Sequence, residues 1–126
     1  MTGIHFFKVV SLVLSSIEFA FVSGQTPSIE WQRCYGGSSN DFATAILHTK
    51  DGGYAFAGAN NSNDGDVLGN KGYSDVWVVK LKPDGTISWQ QSLGGSDTEA
   101  AYSMVQTFDD GFIIAGNTAS DRKSVV

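Results

Sequence analysis

Residues 29–58 recur without a gap at residues 87–116, an offset of 58 residues. Twelve of the thirty aligned pairs are identical, and others keep their chemistry, such as Tyr54 with Phe112. The identical pairs are Ile29/Ile87, Trp31/Trp89, Gln32/Gln90, Gly36/Gly94, Gly37/Gly95, Ser38/Ser96, Ala43/Ala101, Thr49/Thr107, Asp51/Asp109, Gly53/Gly111, Ala57/Ala115 and Gly58/Gly116. A repeat of this size predicts a propeller, a solenoid or an array of stacked units.

The 126 residues hold one unit of 58 and part of another. We assign residues 25–120 to the repeats, with a first unit at 29–86 and a truncated second unit at 87–120. Repeat proteins normally need at least about three stacked units for stability. The chain is therefore predicted to be the N-terminal piece of a longer protein, whose remaining units would be its partners.

Both ends of the chain differ from the repeats. After Lys8, an apolar run from Val9 to Val22 is followed by the small residues Ser23 and Gly24. This pattern predicts a secretory signal peptide at residues 1–24, with a buried strand or helix as the alternative. Residues 121–126 resemble the translation of a sequencing adapter and are predicted to be a non-native tail, with a natural short tail as the alternative.

The charge of the chain argues against nucleic acid as a partner. The formal net charge is −5 and the sequence pI is about 4.7, whereas a protein that follows phosphates needs a basic patch. With the signal peptide removed, no membrane span is predicted. The expected location is therefore outside the cell or on its surface.

Four stretches rich in β-branched and aromatic residues lie inside one period, at 42–49, 54–59, 75–82 and 86–93, with an earlier one at 28–35. Tight turns at residues 50–53 and 82–85 supply glycines and make neighbouring strands antiparallel. The fold class predicted is all-β, with four-stranded antiparallel blades of a β-propeller and about one and a half blades present.

Two details of the predicted sheet concern strand faces. In the strand at 86–93, Ile87, Trp89 and Leu93 are expected on one buried face. The strand at 28–35 matches the fourth strand of a unit, so we expect it to complete the sheet of the last blade and close a ring. The alternative is a solenoid or loose array in which that strand pairs with its neighbour.

Six short motifs resemble those of the secreted propeller-type repeat proteins of the Bacteroidota, many of which end in a type IX secretion sorting domain. They are Trp31-Gln32, Gly36-Gly37-Ser38, Asp51-Gly52-Gly53-Tyr54, Asn63-Asp64-Gly65-Asp66, Trp77-Val78-Val79-Lys80-Leu81 and Asp84-Gly85-Thr86-Ile87-Ser88-Trp89. The resemblance covers residues 29–117 and implies a propeller fold and export. It brings no catalytic residues with it.

One loop has the oxygen-rich composition of a calcium site. Asn60, Ser62, Asp64 and Asp66 surround Gly65, although Lys71 stands where a calcium loop places its glutamate. The alternative is an ordinary turn whose Asx side chains cap their own backbone. No other metal or cofactor is predicted.

Other residues are weaker candidates for chemistry. His48 has no second histidine in the mature chain. Ser92 replaces Cys34 in the second unit, so the fold does not require a thiol there, and a lone thiol in an exported protein is expected to be buried, with a reactive thiol as the alternative. Asp41 and Glu99 are possible paired carboxylates, but the repeat assigns them to different blades. The segment at 84–89 resembles the packing motifs of sialidase and quinoprotein propellers, which favours a structural role.

These observations favour a non-catalytic secreted or cell-surface β-propeller scaffold for binding or adhesion, with a glycan or protein ligand. The alternative is the N-terminal part of an extracellular carbohydrate-active hydrolase or lyase whose active site lies in further blades. A third reading is a truncated product that does not fold alone.

Overall fold

The computed structural model describes residues 28–120. The predicted signal peptide at 1–24 and the predicted tail at 121–126 lie outside the described residues. By its contacts the chain divides into residues 1–30 and 31–126. In the first of these parts, Ser28, Ile29 and Glu30 are exposed and belong to no strand.

Six strands and no helix form the described part of the chain, which confirms the all-β prediction. They are β1 (Asp41–His48), β2 (Tyr54–Asn60), β3 (Asp75–Leu81), β4 (Ile87–Leu93), β5 (Glu99–Gln106) and β6 (Phe112–Thr118). The first four make an antiparallel sheet in the order β1-β2-β3-β4, and β5 and β6 make a two-stranded antiparallel sheet. Among residues 28–120 no helix could cross a membrane.

Tight turns join the hairpins where the sequence predicts them. Gly52 in the β1–β2 turn has a φ of 83° and Gly85 in the β3–β4 turn has a φ of 80°. Asp110 takes the place of Gly52 in the β5–β6 turn and keeps the left-handed conformation, with a φ of 66°. Aspartate is one of the few non-glycine residues that adopt this conformation readily.

The two sheets pack through one face of the four-stranded sheet, which we call the inner face. Its small residues Ala55 and Ala57 are fully buried together with Val78, against Ala101 and Met104 of β5. Small side chains let the two sheets approach closely. Burial of this apolar surface holds the second unit on the first.

The opposite side of the four-stranded sheet, here called the outer face, has an aromatic core. Phe56 and Trp77 meet edge to face with ring centroids 5.4 Å apart, and Val79 and Leu81 pack beside them. Val67, from the loop between β2 and β3, is fully buried in the same cluster. The sheet is therefore covered on both sides, which explains why β3 is almost continuously apolar.

The prediction of a strand at 28–35 is wrong. This stretch is irregular and lies against the outer face through two aromatic anchors, Trp31 and Tyr35. The Tyr35 hydroxyl donates to the Gly85 carbonyl at 2.6 Å, and the Trp31 ring packs on the same glycine. The matching pattern at β4 forms a strand because β3 runs beside it, whereas residues 31–35 pair with no strand in the described part of the chain.

The expected common face for Ile87, Trp89 and Leu93 is also wrong. The pairing of β3 with β4 contains an irregularity between Lys80 and Leu81, opposite Trp89 and Ile87. An extra residue at such a bulge shifts the alternation of side chains. Ile87 therefore packs in the outer-face cluster and Leu93 against the inner-face cluster.

The sequence repeat is a structural repeat. Trp31 meets Tyr54 edge to face at 5.7 Å and 70°, and their counterparts Trp89 and Phe112 meet at 6.0 Å and 61°. The register of β1 with β2 shifts between Ala43 and Ala45, and that of β5 with β6 shifts at the equivalent place. The second unit thus repeats the first half of the first unit.

Candidate functional site

A carboxylate at the start of the first strand ties two loops of the first unit together. Asp41 accepts hydrogen bonds from the N–H groups of Gly37, Asn61 and Ser62 at 2.8, 3.0 and 3.1 Å and from the Ser62 hydroxyl at 2.6 Å. Partial burial is the largest single influence and opposes ionisation, but the hydrogen bonds together hold the pKa of Asp41 below its ordinary value.

Glu99 has the same role in the second unit. It accepts hydrogen bonds from the N–H groups of Gly95 and Ser120 at 2.8 and 3.1 Å and from the Thr118 hydroxyl at 2.9 Å. Burial again opposes ionisation most, and the hydrogen bonds still hold the pKa of Glu99 below its ordinary value. Sequence reasoning missed this structural role, although the acid follows the first glycine of Gly-Gly by five residues in both units.

Two of the predicted calcium ligands, Asn60 and Ser62, are buried and hydrogen-bonded elsewhere. The Asn60 amide donates to the Ser92 hydroxyl of β4 at 2.8 Å, and the Ser62 hydroxyl donates to Asp41. The Asn60 Oδ1 atom has no hydrogen-bond partner among the described residues. These two side chains are thus directed at different neighbours.

The other two predicted ligands bind backbone N–H groups. Asp64 accepts from Ser38 at 2.7 Å, and Asp66 accepts from Gly36 at 3.2 Å. Within residues 28–120, no group of three or more His, Cys, Asp or Glu side chains is placed to hold a metal ion. Calcium binding by Asn60, Ser62, Asp64 and Asp66 stays a prediction.

A cavity of about 670 Å³ lies where the turn between β1 and β2 meets the turn between β5 and β6. We call it the rim cavity. Both units contribute to its lining, so it exists only because the second unit packs on the first. Its lining residues are Lys50, Asp51, Lys80, Trp89, Gln106, Phe108, Asp110, Gly111 and Phe112.

One wall of the rim cavity is an ion pair within the first unit. The Lys80 ammonium lies 2.8 Å from Asp51 Oδ2 and also donates to the Leu81 carbonyl at 3.0 Å. Lys80 is 7% exposed, whereas the Asp51 side chain is largely exposed. The hydrogen bonds from Lys80, and then from Thr49, hold the pKa of Asp51 far below its ordinary value, so Asp51 is an anion at any physiological pH.

A second lysine connects the turns of the two units. The Lys50 ammonium donates to the carbonyls of Thr107 and Phe108, each at 2.8 Å, and lies 3.5 Å from Asp110. It also sits 5.2 Å from the centre of the Phe108 ring, within the range of a cation–π contact. The rim cavity is therefore fixed on one side by an ion pair within the first unit and on the other by contacts between the two turns.

Aromatic surface is available to a ligand in the rim cavity. Trp89 packs on Phe112 and remains 42% exposed, and Phe108 is 98% exposed. Aromatic faces beside a few fixed polar groups form the usual lining of a ligand site. The arrangement suits a ligand with both apolar faces and hydroxyl or amide groups.

A second cavity, of about 400 Å³, opens on the outer face beside Phe42, Ile46, Phe56 and Trp77. Phe42 and Ile46 are 49% and 70% exposed. The counterparts of Ile46 and Phe56 in the second unit are Met104 and Ile114, which pack against the inner face of the first unit. The outer face thus carries the same chemistry as a surface that already packs on a sheet.

The remaining candidate residues from the sequence do not line the rim cavity. The His48 ring packs edge to face on Tyr54 at 5.2 Å. Cys34 is exposed, so the expectation of burial is wrong; the inward positions of its segment belong to Trp31 and Tyr35. Asp84 accepts hydrogen bonds from the hydroxyl and the N–H group of Thr86 in its own turn. These bonds, the one from the hydroxyl most, hold the pKa of Asp84 below its ordinary value.

Comparison with protein-family models, with curated proteins and with solved structures finds no match to this chain. The resemblance to Bacteroidota propeller proteins therefore stays a prediction. The geometry of the two units and of the rim cavity is the basis for the functional proposal.

Proposed function

We propose that the chain is part of a non-catalytic, secreted or cell-surface β-propeller scaffold that binds a glycan or protein ligand in the rim cavity. The observation that carries the proposal is the duplication of polar contacts as well as of strands. Asp41 and Glu99 bind equivalent loops, and Thr49 and Thr107 donate to Asp51 and Asp109 in equivalent turns. Because equivalent side chains form equivalent hydrogen bonds in both units, these bonds stabilise the scaffold.

The low pKa values of these carboxylates support a binding role. A general acid near neutral pH needs a raised pKa, which burial or a like charge provides. Hydrogen bonds instead hold the pKa values of Asp41, Asp51, Glu99 and Asp109 below their ordinary values, whereas burial raises the pKa of Asp75, which is fully buried and does not line the rim cavity. Carboxylates with a lowered pKa accept hydrogen bonds from a ligand well and donate protons poorly. The alternative of a hydrolase or lyase with its active site in further blades stays a prediction.

The propeller arrangement is supported by the two faces of the sheet. The second unit packs its Met104 and Ile114 on the inner face of the first, and the first unit presents Ile46 and Phe56 in the equivalent positions of its outer face. A further unit would pack there in the same way. Repetition of one heterologous contact generates a ring when the rotation closes.

Ligand binding is tested by titrating the chain with hexasaccharides of glucose, N-acetylglucosamine and xylose and with a soluble polypeptide, using tryptophan fluorescence. Trp89 lines the rim cavity, so we expect a saturable change with one of these ligands. Phe108→Ala should weaken that binding about 3- to 10-fold, because an aromatic contact contributes ~0.5–1.5 kcal/mol. The matched control is Tyr73→Ala, which removes an aromatic ring that is 79% exposed on a different loop. No saturable change, or equal weakening by both variants, would refute the proposed site.

Export and calcium binding have separate tests. Mass spectrometry of the mature N-terminus should place cleavage near Gln25 if residues 1–24 are a signal peptide.

Calcium at millimolar concentration should raise the heat-denaturation midpoint if the loop at 60–66 binds it, because a ligand of the native state stabilises that state. An unchanged midpoint would remove calcium from the proposal.

A further inference from the structure

The two units differ at the edge of β6 that faces away from β5. In the first unit the corresponding edge of β2 pairs with β3 over its whole length, from Tyr54 with Leu81 to Asn60 with Asp75. In the part of the chain that the structure describes, β6 pairs with β5 alone. The edge therefore offers a row of backbone groups to an added strand.

We infer that the free edge of β6 binds, in antiparallel orientation, an extended strand of the β3 type, with an aromatic residue opposite Gly116 and a lysine that reaches Asp109. The occupant is a strand of the same repeat family. This inference deepens the proposed scaffold and rests on it. Three features of the edge identify the occupant.

The first feature is the carboxylate of Asp109. In the first unit the Asp51 carboxylate accepts from the Thr49 hydroxyl and receives the ammonium of Lys80, which β3 supplies. Its counterpart Asp109 accepts from Thr107 in the same way. Hydrogen bonds from Thr107, and also from backbone N–H groups, hold the pKa of Asp109 below its ordinary value. The Asp109 carboxylate is therefore oriented like that of Asp51, but among the described residues no neighbouring strand supplies a lysine to it.

The second feature is the space beside Gly111. A Cβ atom on its counterpart Gly53 would lie 2.8 Å from the Lys80 ammonium and would collide with the Leu81 carbonyl. Among residues 28–120, a Cβ atom on Gly111 would meet only Thr107 Oγ1 at 2.9 Å and Asp109 Oδ1 at 3.6 Å within 4 Å. The room that β3 fills in the first unit is thus open in the second.

The third feature is a cavity of about 430 Å³ beside Gly116, lined also by Ile114, Val76 and Leu93. Ile114 and Gly116 are the counterparts of Phe56 and Gly58, and Gly58 lies opposite Trp77 in the β2–β3 register. Trp77 packs on Phe56 on the same face. A ring opposite Gly116 would accordingly enter this cavity, because a bare glycine leaves space for a large side chain from the neighbouring strand.

The probe is a fluorescein-labelled peptide with the sequence of residues 74–81, Ser-Asp-Val-Trp-Val-Val-Lys-Leu, titrated with the full chain and followed by anisotropy. We expect saturable binding. Asp109→Asn should weaken it about 10-fold, because the variant loses the charge-assisted hydrogen bond with the peptide lysine at a site partly open to water. The peptide variant Lys80→Gln should show the same loss, and Trp77→Ala in the peptide should bind more weakly as well.

Asp84→Asn is the matched control, because Asp84 is an exposed carboxylate that accepts a threonine hydroxyl as Asp109 does, but it lies in the β3–β4 turn and does not line the rim cavity. It should leave the affinity unchanged. If Asp109→Asn disturbs folding, Asp109→Lys with the peptide variant Lys80→Glu provides a charge-swapped pair that should regain affinity. Equal loss with both asparagine variants would show non-specific attraction and overturn the inference.

Two further outcomes distinguish the inference from the proposed scaffold. Weakening by Asp51→Asn without any effect of Asp109→Asn would mean that the peptide replaces β3 in the first unit, and the inference would be wrong. A chain that unfolds cooperatively in urea but does not bind the peptide overturns the inference alone. A chain without cooperative unfolding overturns the scaffold and the inference together.

Discussion

The carboxylate at position 41 offers the sharpest test of how this fold is held together. Asp41 accepts four hydrogen bonds from Gly37, Asn61 and Ser62. Asp41→Ala removes both acceptor oxygens and with them all four hydrogen bonds. The donors on Gly37 and Asn61 are exposed and can turn to water, whereas Ser62 is 1% exposed and would lose partners for both its N–H and its hydroxyl group.

The expected magnitude follows from these donors. A buried donor without a partner costs ~1–3 kcal/mol, and the exposed donors lose little, so Asp41→Ala should lower the free energy of unfolding by about 2–4 kcal/mol. Asp41→Glu should cost less than about 1 kcal/mol, because Glu99 performs the same task in the second unit. Glutamate and aspartate differ by one methylene, so this comparison separates loss of the acceptor from change of shape.

The assay is urea unfolding at pH 7, followed by tryptophan fluorescence. With a urea m value of ~1–2 kcal/mol/M, Asp41→Ala should lower the midpoint by about 1–4 M, and Asp41→Glu by much less. Because the pKa of Asp41 is lowered on folding, its contribution is present above about pH 4 and is lost as the pH falls through the folded value. The gap between wild type and Asp41→Asn should therefore close in acid. Equal losses for alanine and glutamate, or a loss below about 0.5 kcal/mol for alanine, would refute the reasoning.

Two further predictions concern packing and pH. Gly85→Ala and Gly52→Ala impose similar backbone strain, since φ is 80° and 83°, but a Cβ atom on Gly85 would also lie 2.8 Å from the Trp31 ring. Gly85→Ala should therefore lower the free energy of unfolding in urea by about 1–3 kcal/mol more than Gly52→Ala. Equal losses would show that Trp31 does not pack on Gly85. Burial, together with the nearby Glu99, raises the pKa of Asp75, so its ionised form destabilises the fold above about pH 4. Asp75→Asn should therefore increase stability at pH 7, with a gain that shrinks as the pH is lowered; a loss of stability at pH 7 would contradict this account.

The strand positions were predictable because their signals are local. The turn at 50–53 and the turn at 82–85 contain glycines that the structure places at positive φ, and the strands between them begin and end within a few residues of the predicted bounds. Trp31 and Trp89, which the 58-residue offset aligns, also have equivalent aromatic neighbours. Matching residues form matching contacts when their surroundings are repeated as well.

The sequence could not place residues whose environment comes from elsewhere in the chain. Residues 31–35 read as a strand because their pattern copies β4, but a strand needs a neighbour to satisfy its backbone groups. The rim cavity is another example, because Lys50, Lys80 and Phe108 come together only where two turns from different units meet. The exposed position of Cys34 likewise depends on the aromatic anchors on either side of it.

By itself, the amino-acid order determined the repeating unit, the all-β class and the hairpin turns, because periodicity and turn chemistry act over short distances. Only the tertiary structure decided which carboxylates hold loops together, which face packs on the next sheet and which strand edge has no partner within residues 28–120. Those outcomes depend on contacts between residues that are far apart in the chain, where solvent exclusion and hydrogen-bond geometry are set jointly by several elements.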